Sequence, residues 1–509
     1  MSRRSRRGRH HGVADTSHRR QVNYSRLKNP LLRQPAFSED RLEAVHQTAL
    51  RVIEELGIKV LNAEARDYFK QAGARVDEST QLVRIDLALV TAALESAPSE
   101  FVLHGSVAQA DVTIGGDNIA FTCVGGAPHI SDLDRGKRPG TLEDTCNIIK
   151  LSEHFDVLHL QSPNVESQDI PVHLRHYRVT EAQLRLSRKP FFIFSRGSAQ
   201  VEDAFAMTRI ARGLSQAEFE AQPWCYTVIN TNSPRQLDIP MCQGIIDFAR
   251  AGQVSVITPF TLAGAMAPVT MPGALVLQHA EALAGILLSQ IVRPGAPVVY
   301  GSFTSNVDMK SGSPAFGTPE FVQAAFGAGQ LARHIELPWR GSAATASNAP
   351  DEQAVYEFLM SAWGSILGGV NMMVHAAGWL EGGLTGSMEK FILDVEMLQT
   401  FAEIFNPLDS SDAELAYEAI ASVEPGSHFF GCEHTMARYQ TAFYEPLVSD
   451  WSNFGQWTEN GSKTATQRAN GIWKKILQDF EAPEMDPARL EELQAFIERR
   501  SAEGGAPVD

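Results

Sequence analysis

Between residues 119 and 404 the chain repeats one pattern eight times. Each unit is a short apolar or β-branched run, a polar loop rich in Gly, Pro, Asn and Ser, and an amphipathic segment of helix length. The strand-like runs are 119–124, 157–161, 191–195, 225–230, 254–259, 298–303, 337–341 and 370–375; the helix-like segments lie near 141–154, 173–188, 200–213, 237–251, 273–291, 319–335, 350–367 and 388–404. Short apolar runs bounded by turn residues suit buried parallel strands, and parallel neighbours need a crossover helix between them. Eight such units in roughly 290 residues match the count and length of a (β/α)8 barrel. The expected fold class is therefore α/β, a (β/α)8 TIM barrel over 119–405. A doubly wound open sheet is the alternative, but it needs fewer repeats or a second domain.

The flanks read differently. Residues 29–118 suggest an α/β cap: Leu42, Val45, Ala49, Val52, Ile53 and Leu56 share one helical face that ends at Gly57, and a β-like stretch at 81–85 precedes a helix to Ala97. After Asn406-Pro407 the pattern is helical, near 411–421, 433–448, 463–479 and 486–500, which predicts a C-terminal helical extension over 406–509. The Trp/Phe-rich stretch 443–457 reads as packing rather than ligand binding.

Charge and composition exclude several classes. The 509 residues carry a formal charge of −16, and the hydrophobic fraction of 44% is ample for a large core. Nine of the 44 basic residues and one of the 60 acids lie in 1–28, so the rest of the chain carries −24. So acidic a body is a poor binder of phosphate backbones, and the basic segment 1–28 reads as a disordered, solvated tail. No apolar region follows its arginines, so it does not read as an export signal. No run of about 18 uncharged apolar residues suggests a membrane span. Five widely spaced cysteines suit a reducing compartment, and cytoplasm is expected.

In a barrel the site lies at the carboxyl ends of the strands. Here those ends are rich in glycine, amides, hydroxyls and aromatics: Phe194-Ser195-Arg196-Gly197, Asn230-Thr231-Asn232, Thr258-Pro259-Phe260, Tyr300-Gly301-Ser302-Phe303, Trp339-Arg340-Gly341 and His375 through Gly383. No His-x-His, Cys-x-x-Cys or His-Glu-x-x-His is present, no metal ligand set is expected, and there is no Walker loop or Gly-x-Ser-x-Gly elbow. Gly327-Ala328-Gly329 falls inside a helical segment and reads as close helix packing. The aromatics Phe121, Phe260, Tyr300, Phe303, Trp339 and Trp379 fall at or near strand ends, where ring faces suit an organic cation.

Taken in order, these segments resemble the trimethylamine methyltransferase superfamily. The resemblance rests on Val299-Tyr300-Gly301-Ser302-Phe303-Thr304-Ser305-Asn306-Val307-Asp308-Met309-Lys310-Ser311-Gly312 and on Phe316-Gly317-Thr318-Pro319-Glu320. Ala127-Pro128, Arg138-Pro139-Gly140-Thr141, the loop 378–386, His434-Thr435 and Trp451 support it. It implies a (β/α)8 barrel that passes a methyl group from a methylated amine to the cobalt of a corrinoid (cobalamin) carried by a separate protein. No pyrrolysine stands in this chain, so it resembles the branch that uses quaternary amines such as glycine betaine. The base-off corrinoid motif Asp-x-His-x-x-Gly is absent, which implies a cognate corrinoid protein docking over the loops after the sixth to eighth strands.

A betaine also needs donors for its carboxylate: Arg340, Arg196 and His375, helped by Asn230 and Asn232. The expected substrate-binding set is thus Phe260, Tyr300, Phe303, Trp339, Arg340, His375, Trp379, Asn230 and Arg196. Two other readings stay open: a barrel hydrolase or lyase using His375 and Glu381 as an acid–base pair, and a betaine-binding protein without catalysis. A homo-oligomer is an expectation from base rates alone.

Overall fold

The computed structural model describes residues 23–507, so most of the expected basic tail lies outside the described residues. Two compact units are present: residues 24–405 together with 448 onward, and residues 406–447.

The first unit is built on a curled sheet. Seven of its strands run parallel: β1 (Asn118–Phe121), β2 (Phe191–Phe192), β3 (Cys225–Thr231), β4 (Val254–Ala263), β5 (Val298–Gly301), β6 (Trp339–Ser342) and β7 (Met372–Val374). Their order is β1-β7-β6-β5-β4-β3-β2, and Leu27–Lys28 pairs antiparallel with β1. The segment 157–161 forms no strand of its own. It lies between the two ends of this order through a bridge from Leu160 to Thr122 and through the N–H groups of His159 and Gln161, which donate to Phe121 and Pro190 at 2.9 Å each.

All eight expected crossover segments are helical: Leu142–His154, Val172–Leu186, Ser198–Arg212, Ile239–Arg250, Met271–Val292, Pro319–His334, Glu352–Gly368 and Met388–Ile404. Their starts follow local chemistry. Thr141 and Asp144 form a reciprocal capping box, Asp351 accepts from Ala354 N, and Thr318 caps a helix that opens on Pro319. Met271–Val292 is long and apolar enough to cross a membrane by length and composition, with a mean hydropathy of 1.5 over its best window. Gln278, His279, Glu281 and Gln290 interrupt it, so it contains no run of about 18 uncharged apolar residues. Sixteen of its residues are buried, so it is an interior helix of this unit.

The cap keeps its expected first helix, Glu39–Arg51, which loosens into a π-turn and stops at Gly57. Gly57 sits at φ +79°, and a Cβ there would lie 2.8 Å from the Val83 carbonyl. Three-residue strands at Ile58–Val60, Arg75–Asp77 and Leu82–Arg84 join Gln236–Leu237 in a small sheet. The first two strands are too short to show a period and were not anticipated.

Two expected boundaries shift. Residues 24–28 do not belong to a loose tail: Tyr24 is buried, its N–H donates to Asp156 and its hydroxyl to Glu403 at 2.7 Å. The C-terminal extension is not one body, because its last helices, Ala465–Asp479 and Pro487–Ala502, belong to the first unit. Within 406–447 the expected helices are also shorter: Asp412–Leu415, Tyr417–Ala421 and Glu433–Arg438. Ala416 at φ +53° breaks the first run in two.

Candidate active site

Successive side chains on a strand face opposite sides, and that parity builds the interior. Ala120, Phe192, Tyr226, Val254, Val256, Val299, Met372 and Val374, together with Leu160, form one buried cluster inside the curl. Two residues further along the same faces, at the carboxyl ends, a cavity of about 450 Å³ opens. Its walls include Phe194, Arg196, Val228, Asn230, Phe260, Phe303, Arg340, His375 and Trp379.

The loops after β1 and β7 cover one side of this cavity. A hairpin of His129–Asp132 and Gly136–Pro139 pairs with Thr385–Ser387, which pairs in turn with Trp379–Leu380. The buried Asp132 carboxylate ties the hairpin, accepting from Arg138 at 2.9 Å and from Arg135 Nε at 3.0 Å. Arg138 also donates to Asp144 at 2.6 Å, joining the hairpin to the next helix. Although burial opposes ionisation of Asp132, its partners, Arg135 first, hold its carboxyl below the usual range. Gly383 lies against Trp379; a Cβ there would fall 2.4 Å from the indole, so only glycine allows this approach.

Arg340 is the singular group in the cavity. It is 2% exposed, donates from one terminal nitrogen to the Ser302 carbonyl at 2.9 Å, and lies 5.2 Å over the Phe303 ring. Among the described residues it has no carboxylate partner, and its Nε is buried without an acceptor. Burial pushes its pKa down to about 9. Trp379 Nε1 is likewise buried without an acceptor. His375, at φ +60°, has Nδ1 2.8 Å from Ser342 Oγ and its ring centroid 3.7 Å from that of Trp379, the two planes tilted by 31°. Burial, and then the nearby Arg340 charge, push its pKa well below the usual histidine value, so the ring is neutral at pH 7.

Apart from Arg196, the remaining walls are neutral, and many of them are aromatic. Phe303 contacts Phe260 at 5.2 Å, stacks on Phe316 at 5.2 Å, and meets Trp379 edge-on at 6.3 Å. No carboxylate lines the cavity among the described residues. Arg196 lies 4.3 Å over Phe194 and pairs with Glu166, which also holds Arg175 at 2.6 Å. Cys123 is not poised as a nucleophile, since burial pushes its thiol up to about 11.

Seven of the nine anticipated residues therefore share this cavity: Phe260, Phe303, Arg340, His375, Trp379, Asn230 and Arg196. Tyr300 and Trp339 do not. Each is out of phase with an inward neighbour, Val299 or Arg340, and faces the surrounding helices. Tyr300 Oη sits 2.9 Å from His279 Nδ1, and Trp339 Nε1 donates to Ser302 Oγ at 2.9 Å beneath Gly329 and Gly368. Phe121 is fully buried against His159. Asn232 is spent locally, exchanging hydrogen bonds with Asp238. The His375–Glu381 acid–base pair is not assembled either. Glu381 does not line the cavity, and Lys137, then Thr385, hold its carboxyl below its ordinary range. Phe194, Tyr226 and Ser162 also line it and were missed, although counting by twos from the inward Phe192, Val228 and Leu160 marks them as inward.

A curled parallel sheet with crossover helices is a fold shared with a solved methyltransferase. The crystal structure of monomethylamine methyltransferase (MtmB) from Methanosarcina barkeri matches over 88% of each chain with a TM-score of 0.51 at 10% identity, a likeness of fold. The family model for trimethylamine methyltransferase (MTTB) matches residues 2–505. A glycine betaine methyltransferase from Desulfitobacterium hafniense strain Y51 is 35% identical over 471 residues, covering 92% of this chain and 98% of that one. A trimethylamine methyltransferase, MttB, from strain DCB-2 of the same species is 31% identical over 92% of this chain and 94% of its own. The chain belongs to the trimethylamine methyltransferase family and is a methyltransferase.

Proposed function

We propose that the protein moves a methyl group from a carboxylate-bearing quaternary amine of the glycine betaine class to a corrinoid presented by a partner protein. The observation that carries this reading is Arg340, a buried cation in the cavity with no carboxylate of its own. Burying an unpaired charge costs several kcal/mol, and a ligand carboxylate offsets that cost. Trp379 Nε1 offers it a second donor, and Phe260, Phe303 and Phe194 offer ring faces to the trimethylammonium end.

The walls suit the charge change. The substrate nitrogen is cationic before transfer and neutral after it, so a carboxylate pressed against it would stabilise the ground state more than the transition state. Neutral rings hold the cation without that penalty, and alignment with exclusion of water supplies the rate. The amine leaves as a neutral tertiary amine and needs no proton, in keeping with a neutral His375.

The rim fits a flat macrocycle. Gly125, Gly126, Gly382 and Gly383 border the cavity, and a Cβ on Gly126 would meet nothing within 4 Å. When bound, a reduced corrinoid supplies the cobalt nucleophile that accepts the methyl group. Its carrier docks over the loops after β5, β6 and β7, and segment 157–161 closes the sheet into a full (β/α)8 barrel. The five free thiols support a cytoplasmic setting.

The test is calorimetric. Glycine betaine binds the wild type, choline binds more weakly because it lacks the carboxylate, and Arg340→Gln removes the difference. A charge-assisted pair is worth roughly 1.5–3 kcal/mol, about 10- to 150-fold in Kd. Equal affinities for the two amines, or a preference that survives Arg340→Gln, would overturn the assignment.

A further inference from the structure

Carboxylates are kept out of the cavity wall, but two stand directly behind it. Asp394 and Lys390, one turn apart on helix Met388–Ile404, are 2% and 1% exposed, and Lys390 Nζ donates to the two Asp394 oxygens at 2.6 and 2.7 Å. Burial raises the Asp394 carboxyl to about 6 and Lys390 limits that rise, so the carboxylate is ionised at pH 7. One of its oxygens accepts from the Gly378 N–H at 2.9 Å, one residue before Trp379. The Gly378 carbonyl accepts from the Ser387 N–H at 2.9 Å. Gly378 sits at φ +81°, and a Cβ there would fall 3.1 Å from that Ser387 carbonyl and 3.3 Å from Phe391. On the far side of the indole, the Thr345 hydroxyl donates to the Trp379 carbonyl. Glu357, on helix Glu352–Gly368 and 7% exposed, holds the loop that carries Thr345 by accepting from the Ala346 and Ser347 N–H groups at 2.8 Å each. Lys390 stands between the two helices, 4.9 Å over the Phe358 ring. Burial lowers its pKa, while Asp394 and then Glu357 favour its ammonium form.

We propose that Asp394, oriented by Lys390, is a positioning residue for Trp379: it fixes the backbone that aims the unpartnered indole N–H into the cavity. This deepens the proposed function and rests on it for the ligand carboxylate that the indole meets. Stability alone does not account for the pair. Both charges are withdrawn from water, and apolar side chains of the same shape stabilise a core as well as a buried ion pair does. Apolar side chains cannot accept from the buried Gly378 N–H, and leaving that donor unpaired is costly. The indole N–H has no acceptor in the protein to set its angle, so the backbone sets it. With the Gly378 N–H, the Gly378 carbonyl and the Trp379 carbonyl all tied, the pairing of Trp379–Leu380 with Thr385–Ser387 is held in one register.

Two charge-neutral replacements in the full chain separate this hydrogen bond from the ion pair. Lys390→Met with Asp394→Asn keeps an oxygen for the Gly378 N–H, whereas Lys390→Met with Asp394→Leu removes it at nearly the same volume. Each protein is labelled with fluorotryptophan, and Trp379→Phe identifies the Trp379 signal among the seven in the fluorine NMR spectrum. In the Asn version that signal keeps its wild-type position; in the Leu version it moves or splits, while the other six stay in place. The Leu version also binds glycine betaine about tenfold more weakly than the Asn version, the scale of one hydrogen bond to a charged group. In a Trp379→Phe background the two versions bind betaine equally, because Asp394 acts through the indole. Should the wild type bind no betaine, the proposed function fails, and the fluorine spectrum of the free protein still decides the positioning. Identical Trp379 signals in the two versions, or an affinity difference that persists without Trp379, would overturn the inference. So would a Leu version that fails to fold beside a folded Asn version, since Asp394 would then serve folding rather than the indole.

Discussion

Arg340 and His375 stand close enough for the charge of one to suppress protonation of the other. That sets the pH behaviour of the site. A histidine whose pKa lies well below its ordinary value of about 6.5 stays neutral throughout the physiological range. Turnover at saturating substrate is expected to be level from pH 6.5 to 8, measured as initial rates of amine demethylation. A histidine-like step centred near 7 would mean that His375 changes charge during the reaction. The aromatic types and the two arginines were visible in the chain, but not which of these residues faced inward. Trp339 and Arg340 are adjacent on one strand and cannot both face the ligand; alternation excludes one, and the arginine's partly polar surroundings in the structure show which.

Among the elements, the hairpin 129–139 has the clearest part in shaping the site. It pairs with the strand that positions Trp379, and its internal tie is the buried Asp132–Arg138 pair. Removing one partner of a buried pair costs about 3–5 kcal/mol. Arg138→Ala is therefore expected to lower the denaturation midpoint and to speed amide exchange at 385–387, with lesser change in the helices. Asp132 has a depressed pKa in the folded state, so its contribution is present above its unfolded pKa and is lost as pH falls through the carboxylate range. The wild type should lose more stability than Arg138→Ala between pH 5 and 3 in denaturant melts; equal acid sensitivity would separate the pair from the hairpin's stability. Helices of 12 to 22 residues were legible because several turns establish a period. The hairpin strands were not, since four residues alternate too briefly.

At the scale of the large unit, the last helix packs against the middle of the chain. Leu493 and Ile497 join the core formed with Phe205, Phe219 and Phe248, and Arg500 pairs with Asp203, which also accepts from the Tyr177 hydroxyl. Deleting residues 486–509 should abolish cooperative thermal unfolding of the large unit; a melt matching the full chain would show that this helix is dispensable. Seven of the eight expected strand–helix units were readable because each of those crossover helices follows its own strand, whereas the run 157–161 forms no strand of its own. The assignment of Ala465–Asp479 and Pro487–Ala502 to the body was not, because sequence proximity gives no warning that the chain leaves for 406–447 and returns.

The most direct measurement follows the methyl group itself. The purified protein is mixed with cob(I)alamin and glycine betaine, and both cobalamin methylation and demethylated amine are counted. One dimethylglycine formed per cobalamin methylated, with the rate falling at least tenfold in Arg340→Gln, is the expected result. Bound betaine with no methyl moved, or equal transfer from choline, would contradict a carboxylate-anchored quaternary amine as the methyl donor.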